Sequence, residues 1–172
     1  HYIITMDARK IRRTAGATSL ENVVFTDTLA SPALSYFDVK NHFTDLSVSQ
    51  AVAKDYAPVA RKGKWRSGEE VNGVWVNAAT DEEPNRGKNW SLRNTNDETK
   101  ASEVLDFVPN YSADGRSFTF NIGHMDLTDG YIISYYVEIN EAAVNGTKYY
   151  NKAKLTGVNV EEKEQERQFL VQ

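Results

Sequence analysis

Two polar residues fall where a strand's periodicity expects apolar ones. In the segment 22–29, Val23, Phe25, Asp27 and Leu29 share one phase of a two-residue repeat, against Val24, Thr26 and Thr28 on the other. In the segment 149–160, Asn151 shares its phase with Tyr149, Ala153 and Leu155, while Lys152 and Lys154 point the other way. If these phases face a core, a carboxyl group and a carboxamide are both expected inside. A lone buried carboxylate is costly, so Asp27 is expected to be paired or protonated. One reading is local: both residues lie near strand ends and bond to backbone. The other reading is chemical and needs a lysine. A neutral amine desolvated in an apolar core can attack the Asn151 carboxamide carbon, while a protonated Asp27 polarises the carbonyl and relays protons. Ammonia leaves and an amide joins the two side chains. Desolvation lowers a lysine pKa and raises an aspartate pKa, which are the states this chemistry requires.

The elements that must position these groups read as strands. Alternating or apolar runs at 2–8, 22–29, 46–52, 71–76, 103–108, 117–122, 131–139 and 149–160 are separated by turn signals such as Asp114-Gly115, Asp129-Gly130 and Asn145-Gly146. The segment 56–60 contains Pro58 and reads as an edge or loop, and Asn72-Gly73 as a candidate hairpin tip. Helical candidates are short, at 49–55 and at 138–144. Many short strands with regular turns predict an antiparallel sandwich or barrel. The stretch 77–101 is polar apart from Trp90 and Leu92 and reads as a long loop or insertion.

Composition narrows the function classes. The 172 residues, with 40% hydrophobic and 11% aromatic, suit one folded domain with a real core. No cysteine is present, which excludes disulfides, thiolate metal sites and cysteine nucleophiles. A net charge of −4 argues against nucleic acid as a partner. No apolar run reaches the ~20 residues of a membrane span, so no membrane contact is expected of this chain. It opens directly on strand-like residues and closes on Phe169-Leu170-Val171-Gln172 after a charged stretch. We therefore expect one domain at 1–160 and a linker or the start of a following domain at 161–172, as one link of a longer polypeptide.

Four pieces in order carry a family resemblance. Tyr2-Ile3-Ile4-Thr5-Met6 followed by Asn22-Val23-Val24-Phe25-Thr26-Asp27-Thr28-Leu29 resembles the "Y-T-I-T-V … N-V-x-V-x-D-T-L-P" opening of isopeptide-forming domains in Gram-positive pilins and wall-anchored, collagen-adhesin-like surface proteins. Gly115-Arg116-Ser117-Phe118-Thr119-Phe120-Asn121-Ile122-Gly123 resembles "G-x-x-F-T-F-x-I-G", Tyr131-Ile132-Ile133-Ser134-Tyr135-Tyr136-Val137 resembles "Y-x-I-x-Y-x-V", and Tyr150-Asn151-Lys152-Ala153-Lys154-Leu155 resembles "Y-x-N-x-A-x-L". The resemblance implies an all-β, antiparallel immunoglobulin-like β-sandwich of the adhesin type, here with a long polar insertion. It implies Asp27 as the acid that promotes the bond and Asn151 as its acceptor. The family's lysine lies on a strand just before "Y-T-I-T-V", which places it upstream of His1. Lys10 is the nearest lysine in the chain, in a segment that matches a family loop. Ala30-Ser31-Pro32 replaces the proline that comes after the family's leucine.

The implied role is non-enzymatic: a structural or adhesive module on the extracellular, wall-anchored surface of a Gram-positive bacterium. Its partners would be a host matrix protein or glycan, or neighbouring pilin and adhesin domains. The alternative is a carbohydrate- or host-protein-binding module that uses 77–101, with Trp65 and Trp90 as stacking residues. A glycan-active enzyme would need a carboxylate pair that the sequence does not offer. No cofactor is expected, and His1, His42 and His124 lack the spacing of a metal site. Asp114, Asp126 and Asp129 lie in turns without an EF-hand pattern. The basic run at 61–66 reads as a solvated loop.

Overall fold

The computed structural model describes residues 2–78, 89–161 and 163–170. Two antiparallel sheets pack face to face. In the first, β1 (Tyr2–Asp7), β10 (Asp129–Tyr135), β4 (Val59–Val71) and β5 (Val74–Asn77) lie in that order, and β6 (Asn89–Arg93) and β7 (Glu103–Leu105) also pair with β4. In the second, the order is β13 (Lys163–Leu170), β12 (Lys148–Val158), β2 (Ser19–Leu29), β9 (Ser117–Asp126) and β8 (Asn110–Tyr111). A short ribbon joins β3 (Leu34–Tyr36) to β11 (Val137–Ile139). The chain is an all-β antiparallel sandwich, as its alternating patterns predict.

The core is built from the inward phases of both sheets. Ile4, Phe25, Phe118, Phe120, Ile133, Tyr135 and Ala153 form its main cluster, and Leu20, Val23, Met125 and Tyr131 form a second beside it. The two meet where three neighbouring strands are irregular at one level. The β2–β9 register shifts on either side of Val23, next to Asn22 at φ 49° and across from Gly123 at φ 78°. The β12–β2 register shifts between Thr156 and Val158. These bulges let Leu20 face the core although it is out of step with Val23, Phe25 and Asp27.

A second, smaller layer covers the outer face of the first sheet. Trp65 reaches from β4 across β10, and its Nε1 donates to the Met6 carbonyl on β1 at 3.0 Å. The path is open because Gly130 has no side chain: a Cβ there would collide with the Trp65 ring. Gly63 makes the same allowance for the Arg93 backbone. Buried Leu92, Trp75 and Arg93 complete the layer, with the Arg93 guanidinium 4.8 Å above the Trp75 ring.

Several expectations change. The segment 46–52 is not a strand. It belongs to helix α1 (Leu46–Tyr56), because the Asp45 side chain caps the amides of Ser47 and Val48. The helix candidate at 49–55 lies within α1, whereas 138–144 is not helical: β11 pairs with β3 and Asn140 then bonds the Ala142 amide in a turn. The run 131–139 is two strands, because the chain leaves the first sheet at Tyr136. Asn72-Gly73 is a hairpin tip between β4 and β5. The stretch 77–101 is not all loop: 79–88 lies outside the described residues, and 89–93 is β6. Arg93 ties down the turn after β6 by donating to the carbonyls of Glu98 and Thr99. Beyond 160, residues Lys163–Leu170 form β13 along the edge of β12.

The outer layer generates the first prediction. Gly130→Ala should destabilise the chain by roughly 1–3 kcal/mol through overpacking against Trp65. Denaturant unfolding measures the loss, and the indole emission should shift as Trp65 is displaced. A variant as stable as the parent would show that the close approach is not tight.

Candidate functional site

Asp27 and Asn151 come together between the sheets. β12 pairs with β2 so that Ala153 stands opposite Asp27 and Asn151 opposite Leu29. Asn151 and Asp27 are therefore diagonal neighbours on one face, within reach of each other's side chains. The Asn151 Nδ2 donates to Asp27 Oδ1 at 2.7 Å. Asp27 is 0% exposed and Asn151 1%.

The facing elements supply two tyrosines. Tyr135, at the end of β10, donates its hydroxyl to Asp27 Oδ1 at 2.5 Å, and the same hydroxyl accepts from Asn151 Nδ2 at 2.9 Å. Tyr36, at the end of β3, donates to Asp27 Oδ2 at 2.6 Å. Both carboxylate oxygens are thus occupied by side-chain donors, and Asp27 does not resolve into the local backbone pattern of the blander reading. Around them stand aromatic rings. Phe118 lies 5.4 Å from Tyr36 and 5.3 Å from Tyr135, centroid to centroid, and Tyr111 lies 5.6 Å from Tyr36.

The electrostatics result from this enclosure. Burial pushes the Asp27 carboxyl above its usual range, against the opposing pull of the hydrogen bonds from Tyr135, Tyr36 and Asn151. Burial, with the neighbouring Asp27 charge, pushes the Tyr36 hydroxyl far up as well, so Tyr36 acts as a proton donor in hydrogen bonds and not as a phenolate. One atom is left over. Asn151 Oδ1 is buried and accepts no hydrogen bond. An orphaned carbonyl oxygen of this kind is destabilising by about 1–3 kcal/mol. It marks where a donor would be welcome.

The lysine is not among the described neighbours. No lysine is hydrogen-bonded to Asp27 or Asn151 among the described residues. Lys10 is exposed in a 3₁₀ turn, Ala8–Lys10, beyond the Asp7 end of β1. Tyr135 pairs with Tyr2 at the opposite end of that strand. Six residues of strand span ~20 Å, so Lys10 sits well away from the carboxyl.

The two tryptophans part company. Trp65 is fixed in the outer layer by its bond to Met6. Trp90, on β6, is 50% exposed. His42 bonds Glu138 and His124 bonds Glu21 at separate surface positions. Among the described residues no three His, Asp or Glu side chains are grouped to hold a metal ion. Tyr36 and Tyr135 are the functional-site residues that a search for ionisable groups passes over. A hydroxyl on the core phase of 131–135 was the available signal for Tyr135, because a buried tyrosine hydroxyl requires a partner.

No family model and no curated protein matches the chain. Among solved structures it is similar to the RrgA Jo.In complex, at 15% identity and a TM-score of 0.43, over 89% of this chain and 60% of that one. It is also similar to the adhesive tip pilin GBS104 from Group B Streptococcus agalactiae, at 16% identity and a TM-score of 0.40, over 88% of this chain and 21% of that one. The chain spans less than two thirds of either.

Two predictions test the site. Because the folded pKa of Asp27 is raised, the folded state holds a proton that the unfolded chain releases near pH ~4. The stabilisation from that proton is fully present below about pH 4 and is lost as pH rises through the raised value. The stability of the parent minus that of Asp27→Asn should therefore fall as pH rises from about 4, in urea unfolding across a pH series. The carboxylates of Glu21, Asp45, Asp97, Asp114 and Asp126 are held low and act in the opposite sense, but both proteins share them, so they cancel. A difference that is flat with pH would refute a raised Asp27.

Separately, Tyr135→Phe should cost about 1–3 kcal/mol, because it removes a hydroxyl that buried Asp27 and Asn151 both bond and leaves them short of a partner. In a double-mutant cycle with Asn151→Ala the two losses should not add, because both side chains bond the same Asp27 oxygen and each other. Simple additivity would show that they act independently.

Proposed function

We propose that the chain is a structural and adhesive module of a Gram-positive surface protein, stabilised in the intact polypeptide by an internal Lys–Asn isopeptide bond. The sequence resemblance supports the setting. The observation that carries the chemistry is the buried Asn151 carboxamide, held against Asp27 with its Oδ1 unpartnered.

Each group present has a part in the reaction. Burial favours a neutral Asp27, which can donate its proton to the Asn151 carbonyl once the carboxamide turns to present Oδ1. The ε-amine of the lysine adds to the carboxamide carbon, the nitrogen of Asn151 leaves as ammonia, and the proton lost by the amine returns through Asp27. One C–N bond forms and one breaks, with no oxidant or reductant. Tyr36 and Tyr135 hold the carboxyl in place and keep it from turning toward backbone. The resemblance places the lysine on the strand line that leads into Tyr2. The β1–β10 register is compatible with this, since Tyr2 pairs with Tyr135, the tyrosine that touches Asp27. Such a bond would join the β1 line to β12 across the two sheets, so that extension of the chain could not separate them without breaking a covalent link.

Trp90 is the observation that favours the alternative, a glycan- or host-protein-binding module, because half its surface is open.

Intact mass under denaturing conditions is the decisive measurement, on this chain and on a longer form that carries a lysine ahead of Tyr2. Loss of ammonia should lower the mass by about 17 Da from the sequence value. Asp27→Ala and Asn151→Ala should each restore the full mass. A parent mass equal to the sequence sum would overturn the cross-link.

A further inference from the structure

The two sheets are not matched at one side of the sandwich. Ile4 of β1 packs in the same cluster as Ala153 of β12, so these strands face each other. The second sheet then continues by one strand, β13. The first sheet stops: β1 pairs with β10 and with no other strand among the described residues. A groove of about 900 Å³ lies along this step, with Met6, Phe25 and Leu155 in its floor and Trp90 on its rim. A strand the length of β1, at a spacing of ~4.8 Å between strands and ~10 Å between sheets, would occupy a slab of roughly 1,000 Å³. The groove has the size of one missing strand.

Among the described residues nothing guards the edge of β1. Exposed sheet edges usually carry a lysine, a proline or a bulge that prevents further pairing. Tyr2-Ile3-Ile4-Thr5-Met6-Asp7 contains no lysine or proline, and its pairing with β10 runs unbroken across all six residues.

Charge selects the occupant. Among the described residues, Arg9, Lys10 and Arg12 border the groove together with the carboxylates Asp7 and Glu161. Those two carboxylates pair with Arg9 and Arg12. Lys10 forms no ion pair among the described residues. The chain as a whole is negative, at −4, so this cationic border runs against its average. We infer that the β1 edge is a docking site for an extended acidic polypeptide segment of a partner, which adds antiparallel or parallel to β1, places alternate apolar side chains over Phe25 and Leu155, and sets acidic ones toward Lys10 and its neighbours.

The test uses synthetic octapeptides of alternating valine with glutamate, the same peptide with lysine for glutamate, and the glutamate peptide with central prolines. Tryptophan emission reports binding at the rim, and amide hydrogen exchange reports the edge. The glutamate peptide should bind with a Kd at or below about 1 mM. It should slow exchange in β1 and weaken as salt is added, while the lysine and proline peptides bind at least about tenfold more weakly. Lys10→Glu, at an exposed position that leaves the core untouched, should weaken the glutamate peptide by a similar factor, and Thr5→Pro should abolish the protection of β1. No binding at about 1 mM would overturn the inference. So would equal binding of the glutamate and lysine peptides, or binding unaltered by Lys10→Glu. None of these outcomes depends on the isopeptide chemistry, which the mass measurement reads separately.

Discussion

A carboxyl group held out of water between two sheets must be answered from every direction, and in this chain the answer organises the fold. Asp27 draws a hydroxyl from Tyr135 in the facing sheet, a hydroxyl from Tyr36 beyond the end of its own strand, and an amide from Asn151 on the adjoining strand. Each donor comes from a different element, so β10, β3 and β12 must arrive in register for any of them to be satisfied. A buried polar group of this kind gives uniqueness to a core, because an alternative packing that separates it from its partners leaves it unpaired at considerable cost. The surrounding rings of Phe118, Tyr111 and Phe25 supply apolar burial but would tolerate many arrangements. The hydrogen bonds select one.

The same enclosure links stability to the reaction proposed for the site. Excluding water raises the carboxyl's pKa and leaves the carboxamide oxygen without a partner. Both features are unfavourable for a resting core and favourable for attack by an amine. Proteins commonly tolerate such local tension only where the rest of the structure over-determines the geometry. Here that support comes from long pairings of β12 with β2 and of β2 with β9.

Much of this was legible in the chain because the sandwich imposes a period of two. Val23, Phe25 and Leu29 reveal the inward phase of β2, and Asp27 stands out against them. Phe118 and Phe120, and Tyr131, Ile133 and Tyr135, do the same for β9 and β10. The parts that were not legible lack that constraint. Tyr36 sits in a strand of three residues, too short to show a period. Leu46 and Val48 alternate like a strand, yet both are exposed on α1, whose start is set by the Asp45 cap. Two elements, β6 on β4 and β13 on β12, pair with a long neighbour, and their largely polar sequences show little period of their own.

The irregularities in β12, β2 and β9 have a consequence for sliding as distinct from facing. A regular antiparallel pair can slip by two residues and keep the same side chains on each face. These three strands cannot do so one at a time, because each would carry its irregularity out of line with its neighbour's. The crease through Asn22, Gly123 and Gly157 therefore works as an index mark across the sheet. It fixes how far along its strand Asp27 lies from Asn151, so the depth of the carboxyl within the sandwich is set at a point several residues away from it.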